Sequence, residues 1–229
     1  VGISFYTFQT LSYSIDVYRG EKDPERHLGI FALYVSFFPQ LMAGPIERSA
    51  TLLPQFRKVQ QWDWMRIRDG LTQMLFGFFK KLVIADRLSL YVDEVYANSS
   101  EYHGLPMWVA TYFFAIQVYC DFSGYSDIAI GGARVMGFKL MTNCRRPYLA
   151  DSFKSFWERW HISLTTWFRD YVYFPMGGSR KGALRTRLNM LLLFTLCGLW
   201  HGARWNCVLW GTVNGVFLVM GQLTGGIQD

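Results

Sequence analysis

Uncharged stretches alternate with charged segments along this chain, and the alternation predicts a series of membrane-crossing helices. Five stretches contain no Asp, Glu, Lys or Arg, at residues 1–15, 27–46, 102–120, 188–203 and 205–228. About 20 apolar residues are enough for a helix to cross a bilayer, so we expect a helix over each stretch. Pro39 and the pair Gly44–Pro45 should kink or end the second of them.

The charged segments predict which side of the membrane each helix end faces. Lys and Arg concentrate in cytoplasmic loops, and residues 47–69, 134–146 and 179–187 are rich in both. Residues 93–101 are acidic and are expected on the outer side. Residues 70–92 look helical but contain four charged residues, and a spanning helix and an interfacial helix with lysines extending to the headgroups both remain open.

Residues 150–173 predict one amphipathic helix that lies in the membrane interface or enters it part-way. At 100° per residue its aromatic and leucine side chains, Trp157 and Trp160 among them, form a single stripe with the charged residues off it. His161 falls on the shoulder of the stripe, where an apolar wall meets a polar one. A cavity-lining position and a plain helix-surface position are both open for this histidine.

Residues 121–132, DFSGYSDIAIGG, predict a polar break after the helix over 102–120. Asp121 and Asp127 flank a serine-glycine turn, and irregular backbone at membrane depth is tolerated where it lines a cavity. Both carboxylates are therefore candidates for a polar cavity. The alternative is structural, because aspartates often bond the backbone amides of such turns.

Composition supports a membrane protein and argues against a nucleic-acid binder. Of the 229 residues, 51% are apolar and 17% are charged, against about 25% charged residues in soluble domains. The net charge of +6 lies in loops beside apolar runs rather than in a basic patch interleaved with aromatic residues. Because the chain starts at Val1 inside an apolar stretch, we expect one membrane domain, residues 1–229, from the middle of a longer protein.

His201 is the first candidate for chemistry, because it lies near the end of the uncharged run over 188–203. An imidazole at membrane depth is by default a functional-site candidate, and histidine is the usual general base when a hydroxyl must be activated. The alternatives are a core histidine bonded to a carbonyl and a metal site with Cys197 and Cys207. Buried thiols are the commoner explanation for such cysteines, and we expect no metal.

The sequence contains no G-x-S-x-G elbow, phosphate-binding loop or H-E-x-x-H motif. The residue pattern alone leaves two functions open. One is histidine-assisted transfer of an activated group, and the other is a polar path for ions or protons.

Four segments resemble the membrane-bound O-acyltransferase family, in particular its bacterial polysaccharide-acylating branch: MAGPIERS, YCDFSGYSDIAIGG, FWERWHISLTTWFRDYVYFPMGGSRKG and LWHGARWNCVLWG. The resemblance implies an all-α integral membrane protein, a multi-helix bundle with re-entrant and amphipathic helices around a tunnel. It implies that His201 is the catalytic base and that His161 lines the same tunnel as a second catalytic residue. The branch often has a histidine where this chain has Asn214, so we expect a different acceptor or carrier here.

The resemblance also implies a reaction. We expect a multi-pass enzyme of the bacterial inner membrane that O-acetylates a cell-surface polysaccharide, alginate-like or peptidoglycan. The donor would be a cytoplasmic thioester, acetyl-CoA or an acyl carrier protein, with no bound cofactor and with an acyltransferase partner outside the membrane. The tunnel candidates are Trp157, Trp160, Asp121, Asp127 and Asn214. A lipid O-acyltransferase with a long-chain donor and a non-catalytic transporter of acyl donor or sugar are the alternatives.

Overall fold

The computed structural model describes residues 3–41 and 44–224, and this part of the chain is helical and contains no β-strand. The α-helices are α1 (Ile3–Tyr18), α2 (Leu28–Ser36), α3 (Phe38–Leu41), α4 (Ser49–Phe56), α5 (Trp64–Phe78), α6 (Asp86–Ala97), α7 (Leu105–Val135), α8 (Phe153–Arg159), α9 (Ile162–Phe168), α10 (Ala183–His201) and α11 (Trp205–Thr224). Two π-helical segments, Phe79–Ala85 and Arg169–Tyr173, and a 3₁₀ turn, Pro147–Leu149, complete the list.

The helices belong to two compact units. One contains α2 to α7, the other contains α8 to α11, and the residues of α1 are divided between them. Among the described helices, Trp205–Thr224 is long and apolar enough to cross a membrane by length and composition. It covers most of the last predicted stretch, whose residues 225–228 lie outside the described part of the chain.

The predicted helix over residues 27–46 is interrupted earlier than expected. His27 caps α2, with its Nδ1 accepting a hydrogen bond from the backbone N–H of Ile30 at 3.2 Å. The helix then ends at Ser36, and Phe37 is extended. Pro39 explains this position, because proline has no N–H to donate and its ring would collide with the carbonyl four residues back.

Helix α7 corrects the interpretation of DFSGYSDIAIGG as a polar break. Residues 121–132 continue the helix that began at Leu105, and α7 ends at Val135. Its Gly124 and Gly131 pack against Gly77 and Gly70 of α5. A Cβ at Gly131 would lie 2.6 Å from the carbonyl oxygen of Gly70, and one at Gly124 would lie 2.9 Å from that of Gly77. The glycines thus serve close helix packing rather than a turn.

Residues 70–92 are helical, as the pattern indicated, but the helical run is longer and irregular. It starts at Trp64, where the Asp63 carboxylate caps α5 by accepting from the N–H of Arg66 at 3.1 Å. The π-helical segment Phe79–Ala85 then leads directly into α6. Such segments are rare and are often found at functional or specially packed positions.

In the other unit, α10 and α11 form an antiparallel hairpin joined by the short turn 202–204. The helices touch at Gly198 and Gly211. A Cβ at Gly198 would collide with the carbonyl oxygen of Cys207, and one at Gly211 would collide with that of Phe194. This contact fixes the end of α10, where His201 lies, against the first turns of α11.

Candidate active site

The predicted amphipathic helix over 150–173 is broken in the middle, which the side-chain pattern did not indicate. Helix α8 ends at Arg159 and α9 begins at Ile162. Between them Trp160 is extended, and His161 is left-handed with φ 45° and ψ 52°. A left-handed backbone costs a residue with a side chain roughly 1–2 kcal/mol, so the surrounding structure must hold His161 in this conformation.

A neighbouring segment, residues 143–145, forms hydrogen bonds with the backbone groups that have no partner within α8 or α9 at the break. The N–H of Arg145 donates to the carbonyl of Arg159 at 2.8 Å, and the N–H of Ile162 donates to the carbonyl of Asn143 at 2.9 Å. These two bonds lie on either side of His161. They are the physical reason why the helix does not run through, since the groups involved no longer pair within one helix.

The His161 imidazole is buried, with 4% of the residue exposed. Its ring meets the Trp200 indole edge-on, with centroids 6.3 Å apart and planes at 79°. Since α8 and α9 have seven residues each, His161 lies outside any membrane-spanning helix. Burial, and to a smaller extent the nearby His201, lowers the pKa of His161 to about 3. This imidazole is therefore neutral at physiological pH.

His201 is the last residue of α10, and its ring lies between two indoles. It is T-shaped to Trp200 with centroids 4.8 Å apart and to Trp210 with centroids 5.3 Å apart. Within residues 3–41 and 44–224, no carbonyl accepts a hydrogen bond from this imidazole, so the alternative of a carbonyl-bonded core histidine finds no support there. As a whole residue, His201 is exposed on the surface of its unit.

Trp200 brings the two predicted histidines together, because both imidazoles contact its indole. The sequence pattern singled out neither Trp200 nor Trp210, although both lie in the segment LWHGARWNCVLWG that contains His201. Their position next to the histidine and nine residues after it was the available signal.

Trp157 and Trp160, two of the tunnel candidates, belong to one aromatic cluster around the histidines. The Trp157 ring packs T-shaped on Trp210 at 6.0 Å and on Phe194 at 5.0 Å. Trp160 stacks on Phe156 at 6.2 Å. Through Trp210 the aromatic wall is continuous from Trp157 to His201.

Asn214 takes no part in this cluster as its side chain is placed. Its Nδ2 donates to the backbone carbonyl of Trp210, one turn earlier in α11, at 2.8 Å. The side chain thus bonds its own helix. Its role as a tunnel residue stays a prediction.

The other two tunnel candidates, Asp121 and Asp127, form ion pairs with the lysines of the π-helical segment. Asp127 pairs with Lys80 and accepts a hydrogen bond from Gln73 at 3.1 Å. Asp121 pairs with Lys81 at 2.6 Å. The alternative in which they bond the amides of a turn does not apply, since α7 has no turn there and both carboxylates pair with lysines. Their role in a tunnel stays a prediction.

Lys80 shows where one of the charged side chains of the helical run over 70–92 lies. The side chain is buried, with 6% of the residue exposed, and donates to Ser123 Oγ at 3.0 Å. It lies over the rings of Phe76 and Tyr119. Lys80 therefore turns toward protein, and the alternative in which it extends to lipid headgroups is wrong for this residue.

No group of three or more His, Cys, Asp or Glu side chains is placed to hold a metal ion in the described part of the chain. Cys197 is buried on α10, whereas Cys207 is half-buried on α11. The chemistry available at the aromatic cluster is that of two imidazoles. A neutral imidazole accepts a proton at one nitrogen and donates a hydrogen bond from the other.

The described residues are helical and bring two histidines to one indole, which defines a helical protein with an imidazole site. The profile of MBOAT, the membrane-bound O-acyltransferase family, matches residues 26–228, and the chain belongs to this family. It is accordingly a membrane protein.

Three relatives of known name are similar to this chain over nearly its whole length. The chain is 43% identical over 226 residues to the probable alginate O-acetylase of Pseudomonas putida, covering 98% of this chain and 46% of the relative. It is 35% identical to the peptidoglycan O-acetyltransferase of Helicobacter pylori, covering 95% and 46%. It is 28% identical to the teichoic acid D-alanyltransferase of Bacillus subtilis, covering 95% and 58%. The chain thus spans about half the length of the curated relatives it matches.

Proposed function

We propose that this chain is part of a multi-pass O-acyltransferase of the bacterial inner membrane that serves O-acetylation of a cell-surface polysaccharide. The observation that carries the proposal is the meeting of His161 and His201 at the Trp200 indole, in a chain of the membrane-bound O-acyltransferase family. The donor is a cytoplasmic thioester, either acetyl-CoA or an acyl carrier protein.

His201 acts as the general base. Its imidazole takes the proton of a hydroxyl, which belongs to the glycan or to an acyltransferase partner outside the membrane. The hydroxyl oxygen then attacks the thioester carbonyl, the carbon–sulfur bond breaks, and the thiol leaves with the proton returned by the imidazolium. The accessible position of His201 at the end of α10 suits this role, because two different substrates must reach it.

His161 orients the thioester or donates a hydrogen bond to the oxyanion that develops on its carbonyl. Its burial keeps the imidazole neutral, and a neutral imidazole is a fixed hydrogen-bond donor that costs no proton uptake. The indoles of Trp157 and Trp210 form an apolar wall on one side of the histidines, which limits the approach of water to the thioester from that side.

A cavity of about 580 Å³ in the same unit supports entry of the donor from the cytoplasm. It lies where α8 begins and α11 ends, and Met190 lines it near the basic start of α10. Ligand pockets commonly measure about 300–1,000 Å³. Its lining contains one acidic and one basic side chain, Asp151 and Lys154, so the size and position of the cavity, rather than its charge, support the proposal.

The acceptor is an alginate-like polysaccharide. The support is the higher identity to an alginate O-acetylase, 43%, than to a peptidoglycan O-acetyltransferase, 35%, or a D-alanyltransferase, 28%. Asn214 bonds its own helix and stands where the branch often has a histidine. The acceptor or carrier that receives the acyl group therefore differs in detail from that of the branch.

The test is acetyl incorporation into surface polysaccharide in cells carrying the full-length protein, with membrane levels checked. His201→Ala should lower incorporation by about 10²-fold or more, the usual contribution of a general base, and His161→Ala should lower it partially. His103→Ala is the matched control, because His103 is exposed in the loop before α7, and it should match the unaltered protein. Normal acetylation in the His201 variant would remove the proposed base.

A second arm separates the alternatives for the donor. Long-chain acyl-CoA should not compete with acetyl-CoA for incorporation by the full-length protein. Effective competition would favour a lipid O-acyltransferase. Donor movement across the membrane without any acyl transfer would favour a transporter.

A further inference from the structure

The N-terminus of helix α9 is not capped by the side chain of the residue that precedes it. The first N–H groups of a helix have no partner within it and need acceptors from elsewhere. The usual source is the side chain of the residue just before the helix. In α9 that residue is His161, and its imidazole accepts no capping hydrogen bond.

Asn143, 18 positions earlier in the chain, supplies both missing acceptors. Its backbone carbonyl accepts from the N–H of Ile162 at 2.9 Å. Its side-chain Oδ1 accepts from the N–H of Ser163 at 3.2 Å and from the Ser163 hydroxyl at 2.9 Å. Asn143 and Ser163 are both fully buried, so water cannot replace these bonds.

We propose that Asn143 is a positioning residue for His161. By capping α9 from outside, it holds the left-handed backbone of His161 and leaves the imidazole to face Trp200 rather than the helix N-terminus. This inference rests on the proposed function, in which the His161 imidazole acts on the thioester. Asn143 itself does not touch the reacting atoms.

The hydrogen bonds that Asn143 accepts indicate which substitutions should preserve the position of His161. Oδ1 receives two donors, so Asn143→Asp retains an acceptor of the same shape and Asn143→Ala removes it. Asn189 is the matched control in the same unit. It is also buried, and its Nδ2 donates to the carbonyls of Gly178 and Met176 at 3.0 and 3.4 Å, outside the histidine cluster.

The first experiment measures acetyl transfer by the full-length protein at matched membrane levels, with and without His161→Ala. Asn143→Ala should lower kcat about tenfold with the KM for acetyl-CoA little changed, and Asn143→Asp should recover most of it. In the His161→Ala background, Asn143→Ala should add no further loss. An equal loss in both backgrounds, or an equal loss in Asn189→Ala, would overturn the proposal.

The second experiment reads the position of residue 161 without using activity. In a His161→Cys variant, a water-soluble maleimide should label the introduced thiol slowly, because the site is 4% exposed. Adding Asn143→Ala should accelerate this labelling, and adding Asn189→Ala should not. The same protein with His161 retained corrects for the native cysteines.

The two experiments separate the possible failures. Unchanged labelling after Asn143→Ala would overturn the positioning role even in an active acyltransferase. Accelerated labelling in a protein that transfers no acetyl group would support the positioning of residue 161 and sink the proposed function instead.

Discussion

Two adjacent glycines in α7 give a direct test of the packing that replaced the predicted turn. Gly131 faces α5, and a Cβ there would lie 2.6 Å from the Gly70 carbonyl oxygen and 2.7 Å from Met74 Cγ. Gly132, one residue on, would place its Cβ 4.0 Å from Met74 Sδ, an ordinary contact. Both residues are in the helix interior, so each alanine substitution brings the same gain in helix propensity.

The magnitudes follow from these distances. Replacing glycine by alanine in a helix stabilises it by about 1 kcal/mol. At Gly131 the new methyl meets backbone atoms of α5 that cannot rotate away, and overpacking of this kind costs about 1–3 kcal/mol. Gly132→Ala should therefore be neutral or stabilising. Gly131→Ala should be less stable than Gly132→Ala by about 1–3 kcal/mol, because the helix gain cancels in the comparison.

The assay is thermal unfolding of the full-length protein in detergent. For chains of 150–250 residues, 1 kcal/mol corresponds to about 2–4 °C in Tm, and the shift is smaller for a longer chain, so Gly131→Ala should melt measurably below Gly132→Ala. Equal increases in Tm would show that α7 does not approach α5 at Gly131. Equal decreases in Tm would show that residues 121–132 form a turn after all, since alanine would then destabilise the turn at either position.

Two further outcomes follow from buried charges in the same unit. Lys80→Met should lower the yield of folded protein, because it removes the cation that pairs with Asp127. Adding Asp127→Asn should restore part of that yield. No recovery in the double variant would contradict the pairing. Glu47 lies outside the predicted spans, and burial raises its pKa from 4.5 to about 7. Ionisation of Glu47 therefore lowers the free energy of unfolding by about 3 kcal/mol. Stability should fall as pH rises from about 5 through 7, and Glu47→Gln should flatten this dependence of Tm on pH, whereas parallel curves would refute the assignment.

Helix positions were largely predictable because charge avoids the apolar interior. The uncharged runs over 188–203 and 205–228 correspond to α10 and α11, and the charged turn between them is where the hairpin reverses. Helix ends shifted by several residues, as at α10, which begins at Ala183 on the basic segment. A charged first turn is compatible with a helix that extends beyond the apolar run, so the charge pattern does not mark the end of the helix.

The glycines and serine of α7 could not be interpreted correctly without a partner. Small residues favour turns in isolation, yet they also allow two helix backbones to approach closely. Gly124 and Gly131 are seven residues apart, and so are Gly70 and Gly77 in α5. This matched spacing was visible in the sequence, but the pairing of those two segments is a tertiary fact that no local pattern contains.

The break at His161 shows most clearly what the sequence pattern could not predict. Side-chain periodicity continued through residues 150–173 because the same apolar surface is covered by α8 and α9, and periodicity carries no information on backbone hydrogen bonds. Those bonds come from residues 143–145, a segment that its arginines marked only as a cytoplasmic loop. The R-W-H-I-S motif therefore does not fix the position of its histidine by itself. The buried acceptor at Asn143 must accompany it, and a search for this site by motif should include both.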